Sequence, residues 1–295
     1  MQKIKIMSDS ACDISLEHEK EFNIDILCFP VTIDGVGYME RETLTNFEFY
    51  EHLKTCNDQP ATSQITSFRF VEHFKKVYEQ GYKELIYVSI SSTGSNTYNA
   101  SLMARDTFFE ENPDAKDKFK IHIIDSLIYT AGYGYPLIEA AKKAKKGVSS
   151  DEILAYLNDW FSCVQIYFAP YTLEQVKRSG RVSCAAAFVG ELLGLRPLIR
   201  FKDGKSEVME KIRGNKNIIP KIVDIVTKKM IPQTPYVVIQ GSVSQHAEDL
   251  SAMMTKKIGY PPEMISYVGS AVANNCGAEV VAIAFKANRE ADKNI

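Results

Sequence analysis

Three apolar runs in the first half of the chain each end in a short polar loop, and that repetition restricts the fold more than any other feature. Ile4-Lys5-Ile6-Met7 delivers Ser8-Asp9-Ser10, Leu85-Ile86-Tyr87-Val88-Ser89-Ile90 delivers Ser91 to Thr97, and Ile121-His122-Ile123-Ile124 delivers Asp125-Ser126. A helix capped at Ser67, with Val71, Phe74 and Tyr78 on one face and a stop near Gly81, precedes the second run, and a helical stretch separates the second from the third. Apolar strands alternating with helices are the βαβ rhythm of a parallel sheet. In such a sheet the loops after the strands converge on the carboxyl edge, where α/β proteins hold their ligands.

The chain has 295 residues, about twice a typical domain, so two domains are expected. Ser149 and Glu152 have capping-box spacing ahead of Ile153, Leu157, Phe161 and Val164, an amphipathic helix that closes the first domain. The boundary is expected near Ala169-Pro170, giving domains 1–169 and 170–295. Beyond it the grammar changes. Leu198 to Phe201 and Val208-Met209 flank an Asp203-Gly204 pair, a strong hairpin signal that brings antiparallel pairing into the second domain. The remainder reads as helices over Ile218 to Lys229 and Gln245 to Ile258, with strands over Tyr236 to Gln240, Met264 to Val268 and Val280 to Phe285. The expected class is α/β: an N-terminal parallel-sheet α/β/α domain and a C-terminal α+β domain with an antiparallel or mixed sheet.

With 35 basic and 37 acidic residues the formal charge is -2, so no global field draws the protein to nucleic acid or to an anionic membrane. The opening Met1 to Ile6 lacks an apolar stretch of signal-peptide length, and no run of membrane-spanning length occurs, so a cytoplasmic protein without stable membrane insertion is expected. Six scattered cysteines without a C-x-x-C pair, and dispersed histidines, give neither a zinc spacing nor a disulfide framework.

Thr62-Ser63, in the Pro60-Ala61-Thr62-Ser63-Gln64 segment, adds a fourth polar loop to the three after the strands. Hydroxyls and free N–H groups at helix N-termini bind a carboxylate or phosphate without catalysing anything, although caps and turns account for each loop taken singly. Nucleotide-binding glycine fingerprints and a G-x-S-x-G elbow are absent, and Gly132 and Gly134 read as close-packing positions inside a helix. In the second domain Arg181 follows a turn glycine and Arg213 ends a strand, so each is a candidate to reach an anion across a cleft.

Taken in order, these segments resemble the DegV family over essentially the whole chain. The resemblance rests on Ser8-Asp9-Ser10 with Asp13-Ile14, Pro60 to Gln64, Ile90-Ser91-Ser92 with Ser95 and Thr97-Tyr98, and Asp125-Ser126. It continues through Gly180-Arg181-Val182-Ser183, Arg196-Pro197 with Asp203-Gly204, and Lys211-Ile212-Arg213-Gly214. It implies a non-catalytic, bacterial fatty-acid-binding protein, needing no cofactor, with the acyl chain between or beneath two domains. The carboxylate would be held by Thr62 and Ser95 and presented to a separate fatty acid kinase that makes the acyl phosphate. Arg181 and Arg213 would lie near the head group. The chain departs from the family at Asn275, which stands in the place of a histidine, and at Asn96 and Glu279, each in the place of a glycine. An amide there can hydrogen-bond a carboxylate but cannot charge-pair with it.

Phe29, Phe168, Phe188, Leu192, Leu193 and Leu195 are candidates for lining the tail, and Ala185 to Gly190 for a helix beside it. Two other readings stay open: an enzyme acting on a small phosphorylated or carboxylated metabolite, with Asp9 or Asp125 as acid or base, and a lipid-responsive regulator.

Overall fold

The computed structural model describes residues 3–183 and 194–288. The first apolar run is β1 (Ile4–Asp9), which leads through α1 (Leu16–Phe22) to β2 (Asp25–Leu27). A small antiparallel sheet follows, built from β3 (Pro30–Ile33), β4 (Val36–Met39) and, after α2 (Asn46–Thr55), β5 (Ala61–Thr62). The expected βαβ rhythm then runs through α3 (Ser67–Glu79), β6 (Glu84–Ser89), α4 (Thr97–Glu111), β7 (Lys120–Asp125), α5 (Ala131–Lys145) and α6 (Ser150–Phe161). The four-stranded sheet has the order β2-β1-β6-β7, and every pairing is parallel. Ser149 and Glu152 form the expected capping box of α6. The cap of α3 is Thr66 rather than Ser67, because it is the Thr66 hydroxyl that accepts from Arg69 N.

α5 lies between the two large sheets, touching β1 on one side and the second sheet on the other. Its glycines make that possible. A Cβ on Gly132 would sit 2.7 Å from Ile166 Cδ1, and one on Gly134 would sit 2.1 Å from the carbonyl oxygen of Cys12. Pro136 interrupts the same helix, and having no N–H it leaves the Gly132 carbonyl without its usual donor four residues on. The indole Nε1 of Trp160, in α6, donates to that carbonyl instead at 2.8 Å. The one tryptophan of the chain thus repairs a gap that proline creates inside a helix.

The second sheet has six strands in the order β10-β9-β8-β13-β11-β12. They are β8 (Val164–Pro170), β9 (Leu195–Lys202), β10 (Lys205–Arg213), β11 (Tyr236–Gln240), β12 (Met264–Tyr267) and β13 (Val280–Lys286). The helices are α7 (Glu174–Arg178), α8 (Ile218–Lys229), α9 (Ser244–Ile258) and α10 (Ser270–Cys276). Only β11 and β12 pair in parallel, so the sheet is mixed. Asp203 and Gly204 turn the β9–β10 hairpin with φ of +49° and +73°, the signs a type I′ turn requires. Because β8 pairs with β13 and β9, the chain passes from one sheet to the other at Cys163, ahead of the expected junction at Ala169.

Strand alternation gives the six-stranded sheet two different faces. Tyr167, Ala169, Val238, Val281 and Ile283 point toward α8 and α9 and form a core with Ile222, Val226 and Leu250. Ile166, Phe168, Val237, Ile239, Ala282 and Ala284 point the other way and belong to the same core as the parallel sheet. The two domains therefore share one apolar interior.

Trp160→Phe should leave the Gly132 carbonyl buried without a donor, at a cost of about 1–3 kcal/mol in urea unfolding. Pro136→Ala, which returns an N–H to that carbonyl, should reduce the loss when the two changes are combined. Equal losses with and without Pro136→Ala would contradict the repair.

Candidate functional site

Where the sheets meet there is a cavity of about 400 Å³. Its inner wall is the shared face of the six-stranded sheet: Ile166 and Phe168 alternate on β8, Ala282 lies opposite Phe168, and Ile239 lies opposite Ala282. Phe201, opposite Ile166, stacks on Phe168 with centroids 5.3 Å apart and meets Tyr129 at 4.8 Å. Phe29, Ile90, Val268 and Ala271 add to the apolar part, and all four are buried. The polar part is made by Thr62, Ser63, Gln64, Ser92, Thr93, Ser95, Asn96, Arg181 and Asn275. Of these Ser63, Gln64, Thr93, Asn96 and Arg181 are exposed. The cavity is therefore polar where it opens and apolar where it is closed.

Local structure explains how the hydroxyls come to one end. Ser91 to Asn96 is the loop from β6 into α4, so it sits on the carboxyl edge of the parallel sheet beside the positive end of a 15-residue helix. The Thr62 segment runs alongside as β5, paired with Val31, and is tied to that loop because Ile65 N donates to Thr97 Oγ1 at 3.2 Å. Ser95 Oγ accepts from Thr97 N at 3.3 Å and lies 2.8 Å from Thr97 Oγ1. With the Thr97 hydroxyl as donor in that pair, the Ser95 proton is left for the cavity. Among the described residues the hydroxyls of Thr62, Ser63 and Ser92 make no hydrogen bond, so they too are uncommitted.

From the second domain, Arg181 reaches the same loop, its Nε donating to Gly94 O at 3.3 Å. Asn275 accepts from Ser179 Oγ at 2.9 Å and donates one amide hydrogen to Ala271 O at 3.0 Å, which leaves the other hydrogen free. It is held there by α10, whose start is docked on first-domain carboxylates. Glu40 Oε1 accepts from Ser270 Oγ and from Ala271 N, both at 2.8 Å, while Glu40 Oε2 accepts from Ser10 Oγ. Asp13 Oδ1 accepts from Gly269 N at 2.9 Å. Burial, with Glu40 nearby, holds the Asp13 carboxyl well above the usual carboxylate range.

The structure thus brings Thr62, Ser95, Asn96, Arg181 and Asn275 to one end of one cavity. Arg213 is not among the lining residues. It ends β10, opposite Leu195, at the far end of the hairpin from the Asp203-Gly204 turn. Glu279 is also elsewhere, with Oε1 3.2 Å from Nε2 of His246, whose ring stacks on Tyr171. Of the tail candidates, Phe29 and Phe168 line the cavity and Leu195 does not, whereas Phe188, Leu192, Leu193 and the Ala185 to Gly190 stretch lie outside the described residues. Sequence reading did not single out Tyr129 or Phe201, took Ser92 and Thr93 only as part of the Ser91 to Thr97 loop, and named Asn275 without the helix α10 that carries it. Tyr129 and Phe201 were accessible in principle, as aromatics just after β7 and just before the hairpin turn.

The carboxylates of the enzyme reading do not line the cavity. Asp9 is fully buried and accepts from Tyr133 at 2.6 Å, Ile90 N at 2.9 Å and Tyr87 at 3.0 Å. Asp125 Oδ1 is taken by the backbone of Ser92 at 3.1 Å and of Leu127 at 3.0 Å. No group of histidine, cysteine and acidic residues suited to a metal ion occurs among the described residues, and no helix there is long and apolar enough to cross a membrane.

The sequence model of the family described as uncharacterised proteins of the DegV family matches residues 3–288. A DegV domain-containing protein of Clostridium perfringens is 32% identical over 291 residues, 97% of this chain and 98% of that one. Among solved structures, a stearic acid-binding protein from Eubacterium ventriosum superposes with a TM-score of 0.86 at 21% identity, over 99% of this chain and 100% of that one. DegV from Bacillus subtilis, a fatty acid binding protein, does so with a TM-score of 0.82 at 25% identity, over 98% and 100%.

Burial pushes the Asp9 carboxyl up to about 6, against hydrogen bonds from Tyr133, Ile90 and Tyr87 that pull it down. The folded chain therefore keeps a proton that the unfolded chain has released. The stability this gives is fully present below about pH 4 and is lost as pH rises through about 6. Asp9→Asn, which cannot ionise, should gain on the parent chain by on the order of 3 kcal/mol between about pH 4 and pH 7, read from urea midpoints. Parallel pH profiles would contradict this.

Proposed function

The chain belongs to the DegV family, and from that premise we propose that it binds one long-chain fatty acid, tail inward and carboxylate at the polar mouth. The observation that carries the reading is the division of the cavity. Its closed end is the apolar face of the six-stranded sheet, and its open end holds the uncommitted hydroxyls of Thr62, Ser63 and Ser92 together with one free amide hydrogen of Asn275. Such a site matches an amphiphile with a single polar end.

A saturated tail has about 15 methylenes, each contributing roughly 0.8 kcal/mol on burial, for a gross gain on the order of 12 kcal/mol. Lost rigid-body and rotamer freedom offsets several kcal/mol of this, leaving a dissociation constant in the micromolar-to-nanomolar range. The tail supplies most of the affinity. Ser95 and Thr62 donate to the carboxylate, the guanidinium of Arg181 and the start of α4 supply positive potential, and Asn275 offers an N–H where a histidine would have offered a charge.

The carboxylate at an exposed mouth suits a carrier, which presents it to a separate fatty acid kinase in the cytoplasm while itself catalysing nothing. The neighbouring structures that bind fatty acids support the binding part of this reading by fold. Loaded protein given ATP alone should yield no acyl phosphate, and acyl phosphate should appear only when a fatty acid kinase is added. Turnover by the protein alone, lost in Asp9→Asn, would instead support the enzyme reading.

Ser95→Ala and Thr62→Ala should each weaken fatty acid binding by about 1–2 kcal/mol, measured by displacement of a fluorescent fatty acid. Unchanged affinity in both would remove the carboxylate from this end of the cavity.

A further inference from the structure

The turn of the β9–β10 hairpin touches the head-group loop although it comes more than a hundred residues later in sequence. Thr93 Oγ1 donates to Gly204 O at 2.7 Å, and Gly204 N donates to Leu127 O at 2.8 Å, so the turn is tied to two loops on the carboxyl edge of the parallel sheet. The approach is close. A Cβ on Gly204 would stand 2.7 Å from Thr93 Cγ2 and 3.1 Å from Thr93 Oγ1.

The Thr93 hydroxyl is fully committed. A hydroxyl has one proton and two lone pairs. The proton goes to Gly204 O, so the contacts at 2.8 Å to Ser91 Oγ and at 3.3 Å to Tyr129 OH are ones in which Thr93 accepts. Although Thr93 lines the cavity, it has nothing left to offer a ligand. Its neighbours Ser92 and Ser95 do. Phe201, three residues before Gly204, and Tyr129, two residues after Leu127, continue the same junction into the tail wall.

We infer that Thr93 and Gly204 are positioning residues, through which the second domain sets the Ser91–Asn96 loop in the shape that recognises a carboxylate. The inference rests on the fatty acid reading and adds to it the origin of head-group discrimination. The tail is gripped by the sheet face whatever that loop does, whereas the Ser95 hydroxyl is aimed only while the loop is held. Arg181, bonded to Gly94 O, is a second tie from the same domain to the same loop.

The test compares hexadecanoic acid with hexadecanol on the full chain, and its readout is the ratio of the two affinities. The parent chain should prefer the acid. Thr93→Val, close to the same volume but with no hydroxyl, should reduce that preference by about 5- to 10-fold, and Thr93→Ser should restore it. Gly204→Ala, acting on Thr93 from the other domain, should reduce it as well. A merely structural role would weaken both ligands alike and leave the ratio unmoved. An unmoved ratio in both Thr93→Val and Gly204→Ala, with the parent chain still discriminating, overturns the positioning role alone. A parent chain that binds neither ligand removes the fatty acid reading and this inference with it.

Discussion

Two buried carboxylates hold the halves of this protein in register, and the cavity exists because they do. Glu40 and Asp13 belong to the first domain, and the donors that reach them from the second domain stand at the start of α10: Gly269 N, Ser270 Oγ and Ala271 N. The chain nearby is pinned as well, since Ser266 Oγ donates to Asp13 O and Tyr50 OH to Val268 O. A buried carboxyl group stripped of its hydrogen bonds costs several kcal/mol even when neutral, so the donors from the start of α10 are what make these two tolerable. The penalty for losing register is therefore steep. What is held in register is a strip of small and apolar residues, Val268, Ala271 and Cys276, that forms one wall of the cavity, together with Asn275 at its mouth.

This division of labour separates binding energy from selectivity. The inner wall comes from strands whose other face anchors a second core, so it is rigid and unspecific, suited to methylenes. The mouth comes from loops and helix starts, where single hydroxyls can be aimed. Asp9, which an enzyme reading would call on, lies beneath this surface and keeps Tyr87, Tyr133 and the backbone of Ile90 in place.

Legibility from sequence followed the range of the interactions. The three βαβ strands, the capping box at Ser149 and the Asp203-Gly204 turn are local patterns, and each stands where periodicity and turn chemistry put it. β8 does not register in the sequence, because its first residue, Val164, continues the apolar spacing of α6, which ends at Phe161, and its partners β9 and β13 lie later in the chain. β3, β4 and β5 have four residues or fewer and carry too little alternation to register, although Asp34-Gly35 between β3 and β4 is the same turn signal as Asp203-Gly204. α10 is seven residues of mostly small side chains, and what makes it a helix in that place is Glu40, some 230 positions away. At the site, pattern gave the loops that hold Thr62, Ser95 and Asn96 and the turn that presents Arg181, whereas the choice of Thr62 and Ser95 within those loops, and Asn275 altogether, came through the family resemblance. Arg213 illustrates the limit of that transfer: an antiparallel hairpin with its turn at the cavity carries its far end away from it.

The central claim is that the apolar face shared by the two domains is shaped around an acyl chain. Native mass spectrometry of freshly purified protein, followed by denaturing extraction and identification of what is released, tests it without assuming a ligand. The account predicts a stoichiometric long-chain fatty acid. A lipid-free protein that also refuses added fatty acid would contradict it.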